Sequence, residues 1–151
     1  MKPSDQFHVG IVVYDLAAAA AELSETFGYQ WCEEITAPAR VGLSEGERVL
    51  DLTSVYSMST PRVELVLAVP GTLWQPADSG VHHLGYWSDD VAADSAELAR
   101  RGHALEAEGR RPDGTAYWAF HHGGGGPRVE LVARALQPAL EKFWATGRRN
   151  G

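Results

Sequence analysis

The sequence predicts an α+β fold: tandem βαβββ modules forming a cupped mixed sheet around a central cleft, with a C-terminal helix added. Three observations predict it. The hexapeptide Pro61-Arg62-Val63-Glu64-Leu65-Val66 recurs unchanged as Pro127-Arg128-Val129-Glu130-Leu131-Val132. Upstream of each copy a second pair lines up, residues 8–18 with residues 83–93, so that His8, Gly10 and Asp15 match His83, Gly85 and Asp90. The match continues through Ala21-Glu22-Leu23 and Ala96-Glu97-Leu98. A repeat at this distance marks one supersecondary unit present twice, and each unit opens on a histidine and closes on a glutamate.

The elements follow in order. Residues 7–13 alternate as a strand, with Val9, Ile11 and Val13 on one face and His8, Gly10 and Val12 on the other. Asp15 stands at a helix N-cap, Leu16, Ala20, Leu23 and Phe27 follow at helical spacing, and Gly28 ends the helix. Extended runs are expected at 31–35, 48–56 and 62–69, broken by turn residues at Ala37-Pro38-Ala39, Ser44-Glu45-Gly46 and 57–61. In the last run Val63, Leu65 and Leu67 share a face, which turns Glu64 to the opposite one. Residues 70–80, rich in Gly and Pro, form the connection and carry Trp74, which is expected to pack on the seam between the halves.

The second unit repeats the pattern. A strand at 83–87 leads to a helix capped by Asp90, with Val91 and Leu98 inward and Gly102 at its end. Strands at 103–107 and 116–121 flank a turn at Arg111-Pro112-Asp113-Gly114, and the last strand carries Glu130. Gly123 to Gly126 precede a strand and not a helix, so they read as a hairpin connection and not as a phosphate cradle. A terminal helix then places Leu136, Leu140, Phe143 and Trp144 on one side, with Pro138 in its first turn. The expected organisation is a single domain: a first module over 6–69, a linker over 70–80, a second module over 81–134, and a helix and tail over 135–151.

Composition narrows the function. The formal charge is −7 and no cluster of Lys and Arg is present, which argues against nucleic-acid or membrane phosphates as partners. No apolar run approaches a bilayer span, and residues 1–5 lack the apolar core of a signal peptide, so a soluble cytoplasmic protein acting on a small molecule is expected. Cys32 is the single cysteine and reads as a small apolar filler. The chemistry-bearing residues are the repeated ones. His8 and His83 begin the two units, Glu64 and Glu130 end them, and all four sit among apolar neighbours facing away from the helix-packed side. If a pseudo-twofold relates the halves, two imidazoles and two carboxylates converge as an N2O2 site for a divalent metal: nickel, cobalt, manganese, iron or zinc. Gly10 and Gly85 would leave room there for a ligand. His82 reads as a neighbour of the site. Of His121 and His122, one could face the cleft, and His103 reads as a surface or capping residue.

This repeat, with His8, Glu64, His83 and Glu130, resembles the vicinal oxygen chelate superfamily, which includes glyoxalase I, methylmalonyl-CoA epimerase, extradiol dioxygenases and fosfomycin and bleomycin resistance proteins. The resemblance covers about residues 6 to 135. The His-Glu-His-Glu set is similar to glyoxalase I, whereas the stretch from His83-Leu84-Gly85 to Asp90-Val91 resembles the epimerase branch. The sequence departs from both. The epimerases usually place a glutamine where Glu64 stands and a separate glutamate base on the second strand, yet residues 36–43 hold no carboxylate, and no glutathione-binding residues are matched. The resemblance implies a metal-dependent lyase, isomerase or epimerase that chelates vicinal oxygens of a small substrate and stabilises an enolate during proton transfer, with Glu64 or Glu130 as the base, in a homodimer. The alternative is a metal-independent binding or resistance protein that sequesters an apolar or cationic compound, which the net negative charge and Trp74, Trp87 and Trp118 would also suit.

Overall fold

The computed structural model describes residues 1–146; the expected tail at 147–151 lies outside them. After a 3-10 turn at Pro3–Asp5, the chain runs β1 (Gln6–Val13), α1 (Leu16–Phe27), β2 (Ile35–Leu43), β3 (Gly46–Tyr56) and β4 (Arg62–Leu67). The second set is β5 (His83–Ser88), α2 (Val91–Arg100), β6 (Ala104–Arg110), β7 (Ala116–His122) and β8 (Arg128–Ala133). A 3-10 turn at Arg134–Leu136 leads into α3 (Gln137–Thr146). No described helix is long and apolar enough to cross a membrane.

Both helices start as the repeat requires. Asp15 Oδ1 accepts the Ala18 N–H at 2.9 Å, and Asp90 Oδ1 accepts the Ala93 N–H at 3.0 Å, each satisfying an orphan donor of the first turn. Gly28 takes the left-handed conformation that ends α1, at φ 77°. Leu16 and Ala20 are buried and Leu23 half-buried, but Phe27, expected on the same face, is 71 % exposed. The Trp31 indole takes the space under that part of the helix, donating to the Ala20 carbonyl and to Ser24 Oγ.

The eight strands close into a barrel in the order β1-β4-β3-β2-β6-β7-β8-β5. The sheet therefore curls further than a cup. Each module contributes four consecutive strands of the ring, and the modules meet twice, at the antiparallel pairs β1/β5 and β2/β6. Because side chains alternate across each strand, the ring has an inner and two outer cores. Inside lie Val12, Val41, Leu50, Val66, Trp87 and Phe120, among others. Outside, α1 packs on Val55 and Leu65, and α2 on Ala119 and Leu131.

Two readings of the first module change. The run at 31–35 is not a strand: only Trp31 bridges, to Ser57, and β2 begins at Ile35. Ala37-Pro38-Ala39 is not a turn but lies inside β2. It can, because β6 pairs with β2 only at Val41–Leu43, so Pro38 sits where one side of the strand is free and a missing N–H is tolerated. The terminal helix joins the inner core: Trp144 is buried against Phe7, Tyr56 and Trp87, with Leu136, Leu140 and Phe143 packed beside it. Cys32 is fully buried in the same cluster.

Candidate metal centre

Register brings the four repeated residues together. In the ladder across β4, β1, β5 and β8, Gly10 pairs with Glu64 on one side and His83 on the other, while Gly85 pairs with His8 and Glu130. Two rows, Glu64-Gly10-His83 and His8-Gly85-Glu130, therefore run side by side at the junction of the modules, with every side chain pointing inward. The space at the two glycines is not left for a ligand, as the sequence suggested. A Cβ on Gly10 would collide with the His83 ring, and one on Gly85 with the His8 ring. Each module thus makes room for the imidazole of the other.

The resulting cluster is tight. His8 Nε2 and His83 Nε2 lie 3.0 Å apart. His8 Nε2 is 3.3 Å from Glu64 Oε2 and 3.0 Å from Glu130 Oε2, and His83 Nε2 is 3.1 and 3.4 Å from the same two oxygens. Both histidines are buried, and the carboxylates keep only 10 % and 12 % of their side-chain surface exposed. Around an ion with bonds of about 2.1 Å, neighbouring ligand atoms stand roughly 3.0 to 3.4 Å apart, so the spacing suits a first-row divalent metal. The donor set suits it too: the four donor atoms all lie within 4.8 Å of one another, and among the described residues the only polar contacts of the buried Glu130 Oε2 are its ion pairs with the two imidazoles.

The protonation pattern agrees with a cation site. Burial pulls the His8 pKa down, but the adjoining Glu130 and Glu64 carboxylates outweigh it and raise it to about 9. His83 is raised against its burial by the same two groups. Burial works to raise Glu64 and Glu130, yet the adjoining histidines hold both below the usual carboxylate range. Without metal, the two carboxylates favour protonation of the imidazoles.

His82, read from sequence as a neighbour, has a defined place. Its Nε2 lies 2.8 Å from the Leu73 carbonyl and its Nδ1 lies 2.9 Å from His83 Nδ1. The other histidines lie elsewhere. His121 is on the outer face of β7, where Ser95 Oγ is 2.7 Å from Nε2 and the His103 carbonyl is 3.0 Å from Nδ1; His122 bonds to the Gly126 carbonyl beside the exposed turn. Neither joins the cluster. His103 is half-buried and takes the capping place rather than a free surface one: its N–H bonds to the Leu98 carbonyl at the end of α2, and its carbonyl meets His121.

Sequence reasoning missed the surroundings of the centre. A cavity of about 240 Å³ reaches Glu64 and Glu130 from the side of β2, β3 and β7. Trp74 lines it while also packing, at 2 % exposure. Tyr56 stands beside the carboxylates: burial, the Glu64 and Glu130 charges and a hydrogen bond to Glu64 push its phenol well above the usual range, keeping it a neutral donor. The signal for Tyr56 was its phase on β3, but that phase needs the strand's pairing with β4, Tyr56 opposite Glu64, to be known.

A barrel of two βαβββ modules with a buried His-Glu-His-Glu cluster at their junction is a scaffold whose donor atoms could hold a metal ion. The chain belongs to the glyoxalase/bleomycin resistance protein/dioxygenase superfamily, whose family profile matches residues 7–120. No curated protein matches the sequence significantly. Among solved structures, Mycobacterium tuberculosis methylmalonyl-CoA epimerase is 19 % identical over 91 % of this chain and 92 % of its own, with a TM-score of 0.56. A variant of the Streptomyces coelicolor methylmalonyl-CoA epimerase in complex with 2-nitronate-propionyl-CoA is 21 % identical over 85 % and 96 %, at 0.57. A hypothetical protein from Bacillus halodurans is 16 % identical over 85 % and 92 %, at 0.57. At these identities the likeness establishes the fold.

Proposed function

We propose that the protein is a divalent-metal-dependent enzyme of the glyoxalase-like type, an isomerase, epimerase or lyase that moves a proton on a small substrate with two adjacent oxygens. The convergence of His8, His83, Glu64 and Glu130 carries this reading. Those four would hold the ion. A divalent ion bound there supplies Lewis acidity, which acidifies a C–H next to an oxygen and stabilises the resulting enolate.

The chain's own residues divide the remaining work. Glu64 is held by the His83 imidazole, whose Nε2 lies 3.1 Å from Glu64 Oε2 in hydrogen-bonding geometry. Glu130 Oε2 meets the two imidazoles only as ion-pair contacts, at 3.0 and 3.4 Å, and its carboxylate borders the cavity; freed from the ion, that carboxylate would take the proton from the substrate carbon and return it to the same or the adjacent carbon. The inner aromatics keep water from the exchanged proton. Small-molecule binding and homodimeric assembly, with a cytoplasmic location, belong to the same proposal. A metal-independent binding protein is the weaker reading, because four polar groups buried together are a costly lining for a site that only sequesters apolar compounds.

Elemental analysis of the purified protein is expected to give about one divalent ion per chain, absent from a His8→Ala/Glu130→Ala double variant. Glu130→Gln is expected to keep the ion and lose solvent-deuterium exchange into α-hydroxyketones or acyl thioesters. Full turnover in Glu130→Gln with metal still bound would remove Glu130 from the role of base.

A further inference from the structure

The lining of the cavity over the centre carries charge of one sign only. Among the described residues that line it there is no Lys or Arg, and its only charged groups are Glu64 and Glu130. Its walls are apolar: Leu52, Val66, Trp74, Trp118, Phe120 and Val132. The remaining polar side-chain atoms of the lining are uncharged: the hydroxyls of Ser54, Tyr56 and Tyr117 and the indole N–H groups of Trp74 and Trp118. An anionic group brought into this space would be desolvated with nothing to balance it. The two carboxylates already match the charge of a divalent ion, so a neutral substrate keeps the site balanced.

Shape points the same way. Trp74, Trp118 and Phe120 meet pairwise edge to face, with centroids 6.0, 5.6 and 5.7 Å apart and interplanar angles of 86°, 82° and 76°. Trp118 is fixed from behind as the histidines are, since a Cβ on Gly109 would strike its indole. Rings held this way offer both edges and faces to a flat apolar group. At about 240 Å³ the space lies below the roughly 300–1,000 Å³ of pockets for drug-sized ligands.

Resting on the proposed function, we infer that the substrate is a small, uncharged compound in which an aromatic or similarly bulky apolar group is attached to the two-oxygen unit, an aryl α-hydroxyketone in class. The oxygens face Glu64 and Glu130, and the apolar group fills the space bounded by Trp74, Trp118 and Phe120.

The test uses metal-loaded protein and three two-oxygen chelators followed by tryptophan fluorescence and calorimetry: benzohydroxamate, acetohydroxamate and 4-carboxybenzohydroxamate. Benzohydroxamate is expected to bind about thirtyfold more tightly than acetohydroxamate, and its carboxylated form at least about tenfold more weakly than the parent. Trp118→Ala should keep its metal and its acetohydroxamate affinity while losing most of the aryl preference. Ser54→Lys, a separate variant that leaves the aromatics intact, should remove the penalty on the carboxylated probe. Equal binding of the aryl and methyl probes, or a preference for the carboxylated one, by protein that holds its metal would overturn the substrate class and leave the metal reading standing. Absence of metal from the wild-type protein would overturn both.

Discussion

Gly10 and His83 face each other in the β1/β5 ladder, and the His83 imidazole occupies the volume that a side chain on Gly10 would need. Gly85 and His8 repeat the relationship from the other module. The glycines are therefore part of the centre although they donate no ligand. Gly10→Ala is expected to push His83 out of line or part β1 from β5. Overpacking of this kind costs about 1 to 3 kcal/mol, and a displaced ligand should weaken metal binding by at least roughly tenfold. Gly126→Ala, where a Cβ meets nothing within 4 Å, is the control. Calorimetric titration with zinc measures both, and equal affinity in Gly10→Ala and Gly126→Ala would disprove the packing argument.

Metal-free stability should depend on pH with an apex near 6.5. His8 is raised from its ordinary 6.5 to about 9, and His83 is raised too. Raised histidines contribute stability that is complete below 6.5 and lost as pH climbs to about 9. On the acid side, burial lowers His82 from 6.5 to about 4, so stability falls as pH drops through that range. Below the ordinary 4.5 of Glu64 and Glu130, their depressed values remove more. Bound metal replaces the protons on His8 and His83. The melting temperature of chelator-treated protein should thus fall between pH 6.5 and 9 while that of metal-loaded protein holds, the gap widening with pH. Parallel curves for the two forms would refute the competition between proton and metal.

The repeat made the fold and the four central residues legible because it acts through register: equivalent places on equivalent strands must meet when two modules pair. What it could not show is what lies between equivalent places. Ala37-Pro38-Ala39 reads as a break by composition, and only the free edge of β2 at that point explains why it is strand. The ring that receives each glycine's missing side chain belongs to the other module, so Gly10 and Gly85 look like open space until the β1/β5 pairing is known. His121 illustrates the limit of alternation: its partners, Ser95 on α2 and the His103 carbonyl, place it outside the barrel.

Equivalent caps should have equivalent worth. Asp15 and Asp90 make the same bond at the same place in the two modules, and removing an N-cap acceptor costs about 1 kcal/mol. Asp15→Ala and Asp90→Ala are each expected to lower the urea midpoint by a similar amount, with metal stoichiometry unchanged. A neutral result for one of them would show that the repeat no longer does the same structural work in both halves.

The Leu73 carbonyl sets the tautomer of a residue it does not touch. A carbonyl only accepts, so His82 Nε2 carries the hydrogen of their 2.8 Å bond. Burial lowers the His82 pKa to about 4, so at neutral pH the ring is uncharged and its Nδ1 is an acceptor. The hydrogen of the 2.9 Å contact between His82 and His83 is then on His83 Nδ1, which leaves His83 Nε2 as the nitrogen aimed at Glu64 and Glu130, open to a proton or a metal. His8 lacks this support, since its Nδ1 is buried without a partner. Replacing His82 with Phe keeps the ring volume and removes both bonds. Loss of an outer partner of this type weakens metal binding by about 10- to 100-fold. His82→Asn, whose Oδ1 stands near the position of Nδ1, is expected to recover much of the affinity. Titration with zinc at pH 7.5 distinguishes the cases, and a Phe variant as tight as the wild type would mean that packing alone orients His83.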